Sequence, residues 1–139
     1  MLEYHSQGGE EHRYYTERLG PAVTMDSHRV GSITDTLWTF GLCGCTATLA
    51  FRGDRVQLAH YSPLWKNAHR VIVQAFRPER LIVISPGKWQ QVEGKWMLVQ
   101  SEPWNIGEER VAYSTMQRFG ERMDARMVQY ISGKILLPY

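Results

Sequence analysis

Two extended runs, Cys45 to Phe51 and Val56 to Tyr61, flank Arg52-Gly53-Asp54-Arg55, and this segment restricts the fold more than any other in the chain. A Gly-Asp centre between two such runs is hairpin turn chemistry. Strand side chains alternate between faces, so a loop with an even number of residues fixes the register. It pairs Phe51 with Val56, Leu49 with Leu58 and Ala47 with His60. Ala47, Leu49, Phe51, Val56 and Leu58 then form one apolar face, while Thr46, Thr48, Gln57 and Ala59 go to the other. The hydrophobic pattern therefore agrees with the register that the loop imposes. Cys45 and His60 fall on the apolar face at the open end of the hairpin, as diagonal neighbours roughly 7–8 Å apart at Cα.

Around this hairpin the spacing predicts further elements. Ala22 to Phe40 reads as one or two short strands, with Val23, Val30, Ile33, Thr34, Trp38 and Thr39 broken by Asp26, Ser27 and Gly31. Leu64, Ala68, Val71, Ile72, Ala75 and Phe76 recur at three- and four-residue spacing, which predicts an amphipathic helix over 64–76 closed by Pro78. Leu81 to Ile84 reads as a strand buried on both faces. A second hairpin is expected where Glu93-Gly94 separates Trp89 to Val92 from Lys95 to Val99. A second helix is expected over 106–119, between Asn105 as cap and Gly120 as stop, and a closing hairpin or strand over 126–137. Residues 1–20 have no sustained period and are expected to form a flexible N-terminal arm, or at best an edge hairpin.

A chain of 139 residues holds one ordinary domain, here expected over 21–139. The pattern predicts a single compact α/β (α+β) domain. Its core is a two-layered mixed or antiparallel sheet, sandwich-like, with the two helices packed outside. With 43% hydrophobic and 22% charged residues the chain can bury a core. Its 16 basic residues against 14 acidic ones leave a formal charge of +2, which gives no electrostatic reason to expect a nucleic-acid partner. No run approaches the ~20 apolar residues of a membrane span. Met1 to Glu10 is polar where a signal peptide needs an apolar stretch, so the expectation is a cytoplasmic protein, or an effector delivered into a host cell by a dedicated secretion machine.

Chemistry is concentrated at the mouth of the first hairpin. A histidine beside a cysteine can take the thiol proton and later hand it to a leaving group. The same two residues also suit a small buried cysteine packed beside a core histidine, in a catalytically inactive protein-binding module. A third reading is a small zinc-binding protein, in which Cys43, Cys45 and His60 need His28 or His69 as fourth ligand. Most of the five tryptophans are expected to pack the core. Trp65, just past His60, is the one expected near a substrate cleft. Arg52-Gly53-Asp54 spells an adhesion tripeptide, but the hairpin turn accounts for it.

At these residues the sequence resembles the chemotaxis receptor deamidase (CheD) family and the glutamine-deamidase toxins, cytotoxic necrotizing factors among them. Thr39-Phe40-Gly41-Leu42-Cys43-Gly44-Cys45 is similar to the family's Thr-Leu-Gly-Leu-Gly-Ser-Cys, and Gly44-Cys45-Thr46 to the toxins' Ser-Gly-Cys-Thr. Leu58-Ala59-His60, with Pro63 soon after, resembles the histidine stretch, and the interval from Cys45 to His60 resembles that of the toxins. Ile106-Gly107-Glu108 and Ser132-Gly133-Lys134 are further echoes. Cys43 stands where the families prefer Gly or Ser, and Glu109-Arg110 replaces their Arg-Asn.

The resemblance implies a cysteine-dependent amidohydrolase of the protein glutamine deamidase type, with Cys45 as nucleophile, His60 as acid and base, and Thr39 as the residue that orients the imidazole. It also implies an oxyanion site at the amide of Cys45 and a neighbour, with Gly44, Cys43 and Trp65 lining the substrate or oxyanion region. Its partner is a protein carrying the target glutamine, and neither a cofactor nor a metal is required. The same dyad suits a methylesterase, another amidase or a transglutaminase.

Overall fold

The first hairpin forms with the expected register, and layers are built on both of its faces. The computed structural model describes residues 2–42, 45–84, 87–93, 95–101, 120–123 and 125–137. In chain order the elements begin with helix α1 (Leu2–Leu19) and strands β1 (Ser27–Ser32), β2 (Thr36–Phe40), β3 (Thr46–Arg52) and β4 (Arg55–Tyr61). A 3-10 turn (Pro63–Trp65) leads into helix α2 (Lys66–Phe76) and strands β5 (Arg80–Ile84), β6 (Gly87–Val92) and β7 (Lys95–Ser101). Strands β8 (Gly120–Met123), β9 (Met127–Ile131) and β10 (Lys134–Leu136) complete the described elements.

Strands β3 and β4 pair antiparallel, with Phe51 opposite Val56, Leu49 opposite Leu58 and Ala47 opposite His60. Gly53 closes the hairpin with φ 57, a left-handed conformation open to glycine without steric cost. β1 and β5 flank this pair, and β8 extends it, in the order β1-β4-β3-β5-β8; among the described pairs only β5 and β8 run parallel. A second sheet has the order β10-β9-β2, and β6 with β7 forms the further hairpin. The closing hairpin β9–β10 turns through Ser132 (φ 45) and Gly133 (φ 89), two successive left-handed residues that match the twist of the strands they join.

The two larger sheets pack face to face. Leu49, Val56, Leu58, Ile82 and Ile84 from one meet Leu37, Val128 and Tyr130 from the other in a single buried cluster. The outer face of the five-stranded sheet is covered by α2: Val73, with Phe76, packs on Ala50, Leu81 and Val83. β5 is thus buried on both sides, which is why its apolar run is continuous rather than alternating. The outer face of the three-stranded sheet carries Trp38 and Met127, covered by Tyr15 and Leu19 of α1. The order of layers is helix, sheet, sheet, helix.

The segment 1–20 is not a loose arm or a hairpin, because Leu2–Leu19 is α-helical. The face that docks it consists of His12, Tyr15 and Leu19, whose rings and side chain meet Trp38 and Phe40; that helical spacing carries little aliphatic signal. The helix expected over 64–76 begins as a 3-10 turn and becomes α-helical at Lys66, ending at Arg77 in the left-handed conformation with Pro78 after it. The helix expected over 106–119 lies outside the described residues.

Candidate active site

Register alone carries His60 to the inner face. It is the last residue of β4 on the side shared with Val56 and Leu58, and its pairing partner Ala47 lies on the same side of β3. Cys45 precedes β3 by one residue and belongs to the buried cluster with Ala47 and Leu49, 6% exposed. It carries a thiol rather than a disulfide. The third residue comes from the opposite sheet. Along β2, Trp38 points to α1 while Leu37 enters the core between the sheets, and Thr39, buried by the same alternation, reaches His60 across the gap.

Thr39 Oγ1 lies 2.7 Å from His60 Nδ1 and donates to the carbonyl of Val23 at 2.6 Å. A hydroxyl has one proton, and a carbonyl can only accept. The Thr39 proton is therefore committed to Val23, and His60 Nδ1–H must donate to Thr39. That fixes the tautomer, leaving the lone pair on Nε2. The Val23 carbonyl is itself held in place, because the Val23 N–H donates to the Trp38 carbonyl at 2.8 Å.

Nε2 is buried and makes no hydrogen bond among the described residues. An unsatisfied buried acceptor costs about 1–3 kcal/mol, and Nε2 shares that condition with Thr46 Oγ1 and Gln57 Oε1; what sets it apart is that it is a proton acceptor on the face that also carries Cys45. The thiol of Cys45 is thus not hydrogen-bonded to the imidazole in the resting arrangement, although the two share a face. Burial lowers the His60 pKa from 6.5 to about 4, opposed by the negative charge of Asp26 and assisted by His69. The resting imidazole is neutral, an acceptor at Nε2, and a proton leaves the thiol only as a reaction proceeds.

Asp26, in the turn ahead of β1, was legible in the sequence only as a strand breaker. Its N–H donates to the His60 carbonyl at 2.6 Å, and its Oδ1 accepts from the Ser62 N–H at 2.8 Å and the Ser62 hydroxyl at 2.9 Å. The Val23 carbonyl carries no residue-specific signal at all, since any residue supplies one.

Trp65 stands at the start of α2, five positions beyond His60 in sequence, and is 54% exposed. Cys43 and Gly44 lie outside the described residues. Trp38 is fully buried as a core residue. The zinc reading fails on geometry. His28 pairs opposite Ala59 and lies 3.2 Å from the Tyr61 hydroxyl, while His69 Nε2 lies 2.9 Å from Thr48 Oγ1. Ala59, Tyr61 and Thr48 all belong to the outer face of the hairpin, so both candidate fourth ligands stand across the sheet from Cys45 and His60. Among the described residues no group of three or more His, Cys, Asp or Glu side chains is disposed to hold a metal ion. Nor, among them, is any helix long and apolar enough to cross a membrane.

Comparison with protein-family models, with curated proteins and with solved structures yields no match to this chain.

Proposed function

We propose that the protein is a thiol-dependent protein glutamine deamidase. The observation that carries this reading is the Val23–Thr39–His60 relay, which holds the imidazole in one tautomer, with an Nε2 that has no partner among the described residues, on the face it shares with Cys45. A carbonyl, a hydroxyl and an imidazole in series orient a general base as the third member of a nucleophilic triad does. The resemblance of the Thr39–Cys45 and Leu58–His60 segments to glutamine deamidases supports the substrate class.

In this reading Cys45 Sγ attacks the side-chain amide carbon of a glutamine on a partner protein while His60 Nε2 takes the thiol proton. The C–N bond breaks, the nitrogen leaves as ammonia with the proton from Nε2, and a thioester remains. Water then adds to the thioester, giving one proton to Nε2. The C–S bond breaks, leaving glutamate on the partner, and Nε2 returns the proton to sulfur. The Cys45 amide and a neighbour are assigned the oxyanion. The enzyme acts in the cytoplasm, or in a host cell to which it is delivered.

A catalytically idle protein-binding module on the same fold is the second reading, favoured by the burial of Cys45. Brief iodoacetamide treatment near neutral pH, with the label located by mass spectrometry, separates the two. Iodoacetamide carries a primary carboxamide and reports both access to the sulfur and its activation. Cys45 is expected to label faster in the wild type than in His60→Ala, by about tenfold. Glutamine-bearing proteins treated with the wild type should gain about one dalton per Gln converted to Glu. Equal, slow labelling of Cys45 in both proteins overturns the deamidase reading in favour of the idle module.

A further inference from the structure

Asp26 is one of four non-glycine residues with positive φ among those described, at 61°, and it contacts the histidine strand at the His60 carbonyl and the chain just beyond it at Ser62. Its main chain holds the carbonyl of His60, and its carboxylate holds the amide and hydroxyl of Ser62. The intervening Tyr61 projects to the opposite face, where its ring stacks on His69. The chain leaving His60, from its own carbonyl to Ser62, is therefore held by one residue. The His60 backbone also lies in the sheet, opposite Ser27 of β1 and Ala47 of β3, and Thr39 holds the ring; Asp26 anchors the chain where those ladders end.

We propose that Asp26 is the positioning residue for His60, clamping the end of β4 so that Nδ1 meets Thr39 and Nε2 is presented on the face of Cys45. The inference rests on the deamidase reading for its purpose, but the clamp itself is a matter of ring geometry and can be tested without any turnover. A left-handed conformation suits Asp and Asn better than most residues, because the short polar side chain bonds locally, so the position suits an aspartate that must both turn the chain and reach Ser62.

The test reads the His60 ring in nitrogen-15 labelled protein. The Nδ1–H proton, held in a buried hydrogen bond, should give a slowly exchanging ring resonance in the wild type. Asp26→Ala removes both bonds on Oδ1 and should accelerate exchange of that proton by about tenfold or more. Asp26→Asn keeps an acceptor at Oδ1 and should restore slow exchange. Val73→Ala, which weakens the core under α2 on the far side of the sheet, should lower the melting temperature and leave the His60 resonance unchanged. If Asp26→Ala fails to fold, Ser62→Ala removes one of the two bonds and should accelerate exchange by about threefold.

Wild-type exchange in Asp26→Ala, or in Ser62→Ala where that variant carries the test, overturns the proposal. So does acceleration in Val73→Ala equal to that in Asp26→Ala, since the effect then follows stability rather than position. An inert Cys45 beside an intact response to Asp26→Ala overturns the deamidase reading and leaves the clamp standing.

Discussion

The two faces of the β3–β4 hairpin each bury a histidine against a threonine, and the two pairs are used differently. On the inner face His60 bonds Thr39 at 2.7 Å through Nδ1, and Nε2 has no partner among the described residues. On the outer face His69 bonds Thr48 at 2.9 Å through Nε2, and its ring stacks on Tyr61 with centroids 5.0 Å apart. Both histidines are 3% exposed, so burial alone does not distinguish them. What distinguishes them is which nitrogen the protein uses for structure. At His69 the outermost nitrogen is tied to the sheet, as a helix-to-sheet anchor requires. At His60 the structural bond goes to the inner nitrogen and the outer one is withheld, at a cost to stability, as a proton acceptor requires.

The largest expected effect breaks this symmetry directly. His60→Gln should reduce deamidase turnover by on the order of 10³-fold, because it removes the imidazole assigned to accept the thiol proton. His69→Gln keeps a polar side chain against Thr48 and should change turnover by less than about threefold while lowering stability. Turnover measured by ammonia release on a protein substrate, beside urea unfolding of both variants, checks the split. Comparable losses of turnover in the two would make His60 another structural histidine.

The second effect is read through stability. A His60 pKa lowered from 6.5 to about 4 means that the unfolded chain binds a proton that the folded one refuses. Stability therefore rises with pH across that window. The contribution is present above pH 6.5 and withdrawn as pH falls toward about 4, amounting to about 3 kcal/mol. Urea unfolding at the two ends should show a fall in the wild type that is smaller in His60→Gln by about that amount. Identical pH dependence in the two proteins would mean that His60 is hydrated and ordinary.

How far these faces were legible in the sequence depends on whether the information was local. The β3–β4 register followed from a Gly-Asp loop and two alternating runs, so Cys45 and His60 could be put on one face before any fold was known. Helix α2 was legible because Val73 and Phe76 recur on its buried side, whereas α1 was not: His12 and Tyr15 do the work of aliphatic residues, and Gly8-Gly9 argues against a helix that tertiary packing nonetheless supports. Thr39 entered only through a resemblance, since its partners arrive from a different sheet and from a backbone carbonyl. The Asp26 clamp was invisible for the same reason. Contacts made across the sandwich depend on which strands oppose one another, and no short-range period records that.

The smallest effect sharpens the comparison at the threonines. Thr39→Val and Thr48→Val are nearly isosteric, so each deletes a hydroxyl without opening a cavity. Thr48→Val strands one recorded partner, His69 Nε2, and should cost about 1 kcal/mol. Thr39→Val strands two, the Val23 carbonyl and His60 Nδ1–H, and should cost about 2 kcal/mol. It also removes the reason for the tautomer: with nothing to receive Nδ1–H, the imidazole proton is free to move to Nε2, where it abolishes the lone pair that faces the thiol side. Ring nitrogen shifts of His60 should then change in Thr39→Val, return in Thr39→Ser, and stay unmoved in Thr48→Val. Equal unfolding costs together with an unmoved His60 tautomer would reduce the two threonines to the same anchoring role and dissolve the contrast between the faces.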